Sequence, residues 1–448
     1  MARPMHAGVC LTAPWRDPVS VLASFAEEPW AIGFLSSPGQ GRWSYLARNP
    51  DATVLLGASD PGDPFPELQT LLGSRLPSLP DGPPFQGGLA GLACYELADR
   101  LEPLGLERSL VWPDLAVGRY ASVLAFDHRE QTVTAIGRGE TDNAAFLAAQ
   151  AALSWQAVCR PSWRAPLAGN LAASDGQAHE AAVAQIIACI HAGDLFQANI
   201  ARRWRGRLIP GATPFDVARR LADRSPAPFA GYLRLPSLAV VSNSPERFLK
   251  VDADGSVVTQ PIKGTRRRGR SNAEDRMLIR ELLASEKDRA ENLMIVDLMR
   301  NDLSRVCVPG SVAAPALFTV ESFANVHHLV STVTGRLAQG RHALDLLAAA
   351  FPPGSITGAP KVQAMKTIAR WEPPRGPYCG ALFWAGCDGA FDSSVLIRTV
   401  ACVQDDEGWH VEARAGGGIV ADSVPREERA ETETKIAALQ QALTGAWP

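Results

Sequence analysis

A mixed α/β or α+β fold follows from three features of the sequence: short apolar runs of strand character, amphipathic stretches of helical period, and the interleaving of the two. In the N-terminal part, SVLAFD (122–127) and TVTAIG (132–137) read as strands set off by Pro/Gly-rich breaks. Residues 158–178 lack periodicity and carry Pro, Gly and Ser, which separates a region 1–160 from a second region, 175–448. Helical periodicity then appears at 179–193, ended by Gly193, and at 272–306. Strands are expected at 231–235, 238–243, 380–386, 394–403 and 410–416, and a last helix at 425–443. No repeat is visible, so strands from distant parts of the chain must share a core.

The 448 residues exceed one small core. With 44 Lys+Arg against 47 Asp+Glu the net charge is −3, too balanced for a chain that lives on nucleic acid. No apolar run approaches the roughly 20 residues of a spanning helix, and the start has no basic segment followed by an apolar stretch. These features exclude a membrane partner and lead to a cytoplasmic location. Eight cysteines (10, 94, 159, 189, 307, 379, 387, 402) form no C-x-x-C pair, and most are expected to be reduced packing residues. Histidine is sparse apart from His327-His328, so a metal here would be a hard ion on carboxylates.

Two carboxylate faces stand out. Asp288, Glu291 and Asn292 share one side of a helix by three- and four-residue spacing, and Glu428, Glu431 and Lys435 share one side of the last. Brought together they could hold Mg²⁺ with water and an anionic substrate; apart, they are solvated helix faces. AGGGIV (415–420) and PGSITGAPK (353–361) offer backbone N–H groups to an oxyanion or are simply turns. Arg398, in an apolar strand, offers a carboxylate fork or an ion-pair partner. Glu246, after Pro245 near a strand end, suits a general acid if burial raises its pKa, and Lys263 suits a nucleophile if its amine is held neutral. The run Arg266, Arg267, Arg268, Arg270 reads most simply as a solvated loop. Residue chemistry thus reaches a hard-metal enzyme acting on a small carboxylate, and does not name the substrate.

In order, GDLFQANIARR (193–203), SPERF (244–248), PIKGT (261–265), RAENLMIVDLMRND (289–302), VHHLVSTV (326–333), PGSITGAPK, FDSSVLIRTV (391–400) and AGGGIVADS (415–423) resemble the chorismate-utilising enzymes. PFQGGLAGLACYE (84–96) and PDLAVGRY (113–120) extend the resemblance over nearly the whole chain. It implies two stacked sheets flanked by helices, as in anthranilate synthase component I, with the site between them. It also implies Mg²⁺ on Glu291 and Glu431, and Glu246 as general acid. Substrate contacts would come from Gly264, Thr265, Tyr378, Arg398, Gly416, Gly417, Gly418 and Lys435, with Thr357 and His328 lining the same pocket. Several relatives hold tryptophan in the N-terminal part; FLSS (34–37) offers Ser36, departing from the pattern at Phe34.

Two positions discriminate within the family. Isochorismate and salicylate synthases carry a water-activating lysine where QANI places Gln197, so that base is missing here. Anthranilate synthases read P-I-A-G-T where this chain reads PIKGT, and the resemblance makes Lys263 the mark of C4 amination through a covalent lysine adduct. The nearest rival is C2 amination, giving anthranilate. A silent binding subunit is a third reading, against which stand all of Glu246, Lys263, Glu291 and Glu431. No cysteine sits in a glutaminase elbow, so ammonia is expected from a separate glutamine amidotransferase subunit. No lyase segment is visible, so the product should leave with its pyruvyl group.

Overall fold

The computed structural model describes residues 5–37, 39–156, 165–323 and 326–445. Cys159 and part of the expected boundary at 158–178 lie outside them. Among the described residues, two antiparallel sheets of 12 and 10 strands dominate, and each draws on both regions of the chain. In the larger sheet Ile32–Leu35 pairs with Phe229–Arg234, and the order continues through Leu238–Ser244, Thr399–Asp405 and Gly408–Ile419 to Gln197–Arg207. In the smaller sheet Gly88–Ala93 pairs with Ala381–Gly386, and the order runs on through Phe391–Val395, Arg247–Val251, Ser256–Thr259 and Val326–Arg336 to Ile262–Arg267.

The sheets stack through a shared apolar layer in which Ile32, Tyr45, Leu233 and Val240 of one meet Leu92, Ala116, Leu382 and Trp384 of the other. Helices cover the outer faces. Glu286–Ser304 and Ala343–Ala350 pack on the smaller sheet, and Pro214–Arg224 and Pro425–Thr444 on the larger. Gly88–Ala93, Leu115–Tyr120 and Ala381–Gly386 are covered on both faces, which explains continuous apolar runs instead of alternation. Among the described residues no helix is long and apolar enough to cross a membrane. The seven described cysteines are free, five of them buried.

Two expected elements are broken. The 272–306 period holds two helices, Asn272–Ala284 and Glu286–Ser304, because Ser285 leaves the helical conformation and its hydroxyl caps Asp288 N–H at 3.2 Å. The expected strand at 394–403 is also divided. Phe391–Val395 belongs to the smaller sheet and Thr399–Asp405 to the larger, and the chain crosses between them at 396–398. Arg398 therefore lies in the crossing, with φ 51°, and not within a strand. AGGGIV is likewise no turn: Gly416, Gly417 and Gly418 close the strand Gly408–Ile419 opposite Ala201, Ile200 and Asn199.

Candidate active site

Lys263 and Gly264 form a bulge on Ile262–Arg267. Ile262 pairs with Val330 and Thr265 with His328, so this strand carries one residue more than its partner. Gly264 takes φ +83°, and a Cβ there would press on Asp288 and Leu282 at 3.0 Å. The bulge turns Lys263 toward the end of the larger sheet. A Cβ on Gly418 would lie 3.0 Å from Lys263 Nζ and 2.9 Å from Gln197 Oε1, so a side chain at 418 would displace one or both of the groups that meet over it. Gln197 is fully buried, and neither polar atom of its amide has a hydrogen-bond partner among the described residues.

Lys263 keeps some accessible surface, yet protein crowds its amine. Burial holds its pKa below the ordinary lysine value; Glu291, Glu246 and Glu431 oppose that shift, and Lys435 adds to it. Glu246, between Leu238–Ser244 and Arg247–Val251, is buried, which raises its pKa to about 7 against the opposition of the Ser355 hydroxyl, Lys263 and the Ile262 N–H. It is protonated at neutrality to a substantial degree, as a general acid requires.

The two carboxylate faces do meet. Burial raises Glu291, with Lys263 and Lys287 opposing and Asp288 and Glu428 adding to the shift. Glu428 is buried and also raised, by burial and by Glu431, although the Ser423 hydroxyl donates to it at 2.7 Å. Burial pushes Glu431 upward too, but its 2.6 Å pair with Lys435, with Lys287 and Lys263, leaves it below the ordinary value. A Cβ on Gly417 would stand 2.9 Å from Glu428 Oε2 and 3.9 Å from Glu431 Oε1, so both carboxylates lean over bare backbone. Among the described residues no group of three or more His, Cys, Asp or Glu has metal-ligand spacing. A pair of facing carboxylates is nevertheless compatible with Mg²⁺, which seldom takes a full protein cage. Lys435 donates to Gly416 O at 2.8 Å, so its amine is already engaged.

Along the same bulged strand, Thr265 Oγ1 and His328 Nδ1 are 2.9 Å apart. Burial, then Arg398 and His327, drives the His328 pKa down to about 3, so the imidazole is neutral. Arg398 faces it from the crossing, and among the described residues no carboxylate pairs with its guanidinium. A half-buried guanidinium with no carboxylate partner among the described residues, beside a neutral histidine, is free to accept an anionic group. The sequence profile described as chorismate binding enzyme matches residues 31–441. The chain belongs to that family.

Among individual members, aminodeoxychorismate synthase component 1 of Salmonella typhimurium is 38% identical over 455 residues, covering 95% of this chain and 96% of that protein. The Escherichia coli protein of the same name is 40% identical over 381 residues, covering 84% and 81%. Anthranilate synthase component 1 of Thermus thermophilus is 39% identical over 396 residues, covering 85% and 82%. Overall identity therefore does not separate the two activities. The crystal structure of anthranilate synthase component I from Streptococcus pneumoniae superimposes with a TM-score of 0.78 at 28% identity, covering 92% of this chain and 93% of that one.

Within this chorismate binding fold, Tyr378 is buried beside the crossing, where Cys379 N–H donates to Leu396 O at 2.9 Å. Thr357 is buried at the end of the Gly354–Ile356 turn; its hydroxyl donates to Pro353 O at 3.1 Å and its carbonyl accepts from Asn199 N–H at 2.7 Å. The basic run is not simply a solvated loop. Arg266 pairs with Glu281 and Asp288 at 3.0 and 3.1 Å, Arg267 with Glu274, and Arg268 with Asp275 at 2.8 Å, clamping the bulged strand to the neighbouring helices. Ser36 lines a separate cavity of about 440 Å³ with Tyr45, Arg247, Trp384 and Asp392; Ser36 Oγ is buried there with no hydrogen-bond partner among the described residues. Sequence reasoning missed Ser355, a common serine inside a recognised segment, and left Glu428 without a role although its spacing had flagged it.

Proposed function

We propose that the chain aminates chorismate at C4 in the cytoplasm. It would take ammonia from a separate glutamine amidotransferase subunit and release 4-amino-4-deoxychorismate, the precursor of p-aminobenzoate in the folate branch. The observation that carries this reading is a crowded lysine with a depressed pKa in PIKGT, aimed at the floor made by Gly418 and Gln197. Anthranilate synthases read alanine at this point, so Lys263 weighs against C2 amination despite the high identity to that branch.

Substrate carboxylates would be held by Arg398, by Thr265 and by the backbone of Gly264 and of Gly416 to Gly418. Tyr378, Thr357 and neutral His328 would complete the wall. Glu291 and Glu431, with the buried Glu428 beside them, would hold Mg²⁺, which when bound neutralises a carboxylate and draws electron density from the diene. The neutral Lys263 amine attacks C2 and the double bonds shift. The C4–O bond then breaks, and Glu246 supplies the proton with which the hydroxyl leaves as water. Ammonia next attacks C4, the double bonds shift back, the C2–N bond breaks and the lysine departs with its electron pair. Lysine and glutamate between them must hold one proton, on the glutamate, before the first step. These groups all lie in 175–448. We assign the chemistry to that region and a tryptophan site to the Ser36 cavity.

The deciding assay incubates the purified chain with chorismate, Mg²⁺ and ammonium and separates C4- from C2-aminated products by chromatography. A C4 product, with a substrate adduct on Lys263 by intact mass and peptide mapping, is the expected result. Anthranilate as the sole product would overturn it.

A further inference from the structure

The hydrogen bonds, ion pair and ring contacts of Arg375 reach none of Lys263, Glu246, Glu291 and Glu431, yet it sits where three walls of the site come together. Its side chain is 1% exposed and forms a bidentate pair with Glu372, Nε to Oε2 at 3.0 Å and Nη2 to Oε1 at 2.8 Å. The remaining donors go to backbone: Nη1 to Ile356 O at 3.2 Å and Nη2 to Asn199 O at 2.8 Å. Ile356 lies between Ser355, which hydrogen-bonds Glu246, and Thr357. Asn199 lies two residues beyond Gln197 on the strand that carries it. The guanidinium also stacks near Tyr95 and Tyr378, at 4.7 and 5.7 Å from the ring centroids.

Both ends of the pair are anchored. Glu372 Oε1 accepts Ala201 N–H at 2.7 Å, and Arg414 approaches Glu372 at 3.8 Å. The backbone N–H groups of Arg375 and Gly376 donate to buried Glu96 at 2.5 and 2.9 Å. A fork of five fixed donors can serve the carboxylate and both carbonyls at once, whereas a lysine ammonium lacks that planar geometry. An ion pair this deep is weak support for stability by itself, since hydrophobic replacement of such pairs is often neutral. What its hydrogen bonds do is orient the segments they reach.

We propose that Arg375, braced by Glu372, is a positioning residue that sets the Ser355–Thr357 turn, the Gln197 strand and the Tyr378 ring in the register that binds chorismate. This rests on the chorismate reading above and adds a residue that contacts no reactant. Misplacement of substrate by about 1 Å costs on the order of 10²-fold in rate.

The test uses the full chain carrying Arg375→Lys, and a second variant, Arg375→Met with Glu372→Gln, which removes both charges while leaving an acceptor for Ala201 N–H. Chorismate binding is measured by calorimetry in the presence of Mg²⁺, and KM and kcat are measured separately with ammonium. Expected in whichever variant unfolds cooperatively are a rise of roughly tenfold or more in chorismate Kd and KM and a fall in kcat. A merely structural loss lowers apparent kcat with the folded fraction and leaves KM unchanged. Wild-type Kd and KM in a folded variant would overturn the proposal. So would failure of both variants to fold, which would make Arg375 a folding determinant. Because binding is read without turnover, an unreactive but chorismate-binding wild-type chain would sink the amination reading and leave this one standing.

Discussion

Glu246→Gln separates the chemistry of the proposed acid from its effect on stability. Burial raises the Glu246 pKa from the ordinary 4.5 to about 7. An acid must be protonated to act, so kcat is expected to fall as pH rises through about 7. The variant should lose roughly 10²- to 10⁴-fold in kcat, the usual share of a general acid, below that pH, and the difference from wild type should shrink above it. The linkage runs the same way. Between the unfolded value and about 7, the unfolded chain ionises this carboxyl while the folded chain keeps it neutral, so stability declines as pH rises across that window. The contribution is fully present at low pH and lost above about 7, and amounts to about 3 kcal/mol. Glu96, buried and also raised to about 7, contributes a parallel decline. Wild type should therefore lose stability from both groups over that range, and Glu246→Gln should keep only the Glu96 half. Denaturant unfolding at a series of pH values, with stopped assays on the same samples, measures both. A variant that retains wild-type kcat, or a stability slope that does not change, refutes the buried-acid assignment.

Lys263→Ala should still bind chorismate but slow C4 amination by about 10²-fold or more, with residual nitrogen transfer moving toward C2. The ratio of C4- to C2-aminated product reports the effect. Glu291→Gln should abolish Mg²⁺-dependent turnover while far-UV dichroism stays unchanged, and normal activity at low Mg²⁺ would remove Glu291 from the metal site. Gly418→Ala places a methyl against Gln197 and Lys263 at 2.9 and 3.0 Å, and should depress kcat far more than Gly193→Ala, where the left-handed turn is strained but open. Glutamine as sole nitrogen donor should give no product with the purified chain; formation of product would reveal a glutaminase activity in it.

Elements with strong periods were legible before any tertiary contact was known. SVLAFD is the strand Ser122–Asp127, and the final amphipathic stretch is the helix Pro425–Thr444. The carboxylates flagged by three- and four-residue spacing do face one another, whereas Lys263 stands out only when PIKGT is set beside the family's PIAGT. The boundary between one helix and two at Ser285 was not legible, because serine caps a helix or sits within one according to which hydroxyl contacts the fold permits. The crossing at 396–398 was hidden for a similar reason. An apolar run has the same period whether it stays in one sheet or passes between two.

The sequence by itself determined the chemical types at the site: a lysine, an acid, two carboxylate faces, an arginine and small residues, in a family order. Only the tertiary structure decided their state. Burial that neutralises His328 and Glu246 comes from packing between sheets, and the bulge that aims Lys263 exists only against its partner strand. Arg375 carries no motif signal of its own that singled it out. Its place is set by contacts such as the hydrogen bond between Ala201 and Glu372, 171 residues apart, and a spacing that long is invisible to any local pattern. Periodicity reports which face of an element is buried; solvation and hydrogen-bond geometry depend on what is buried against it.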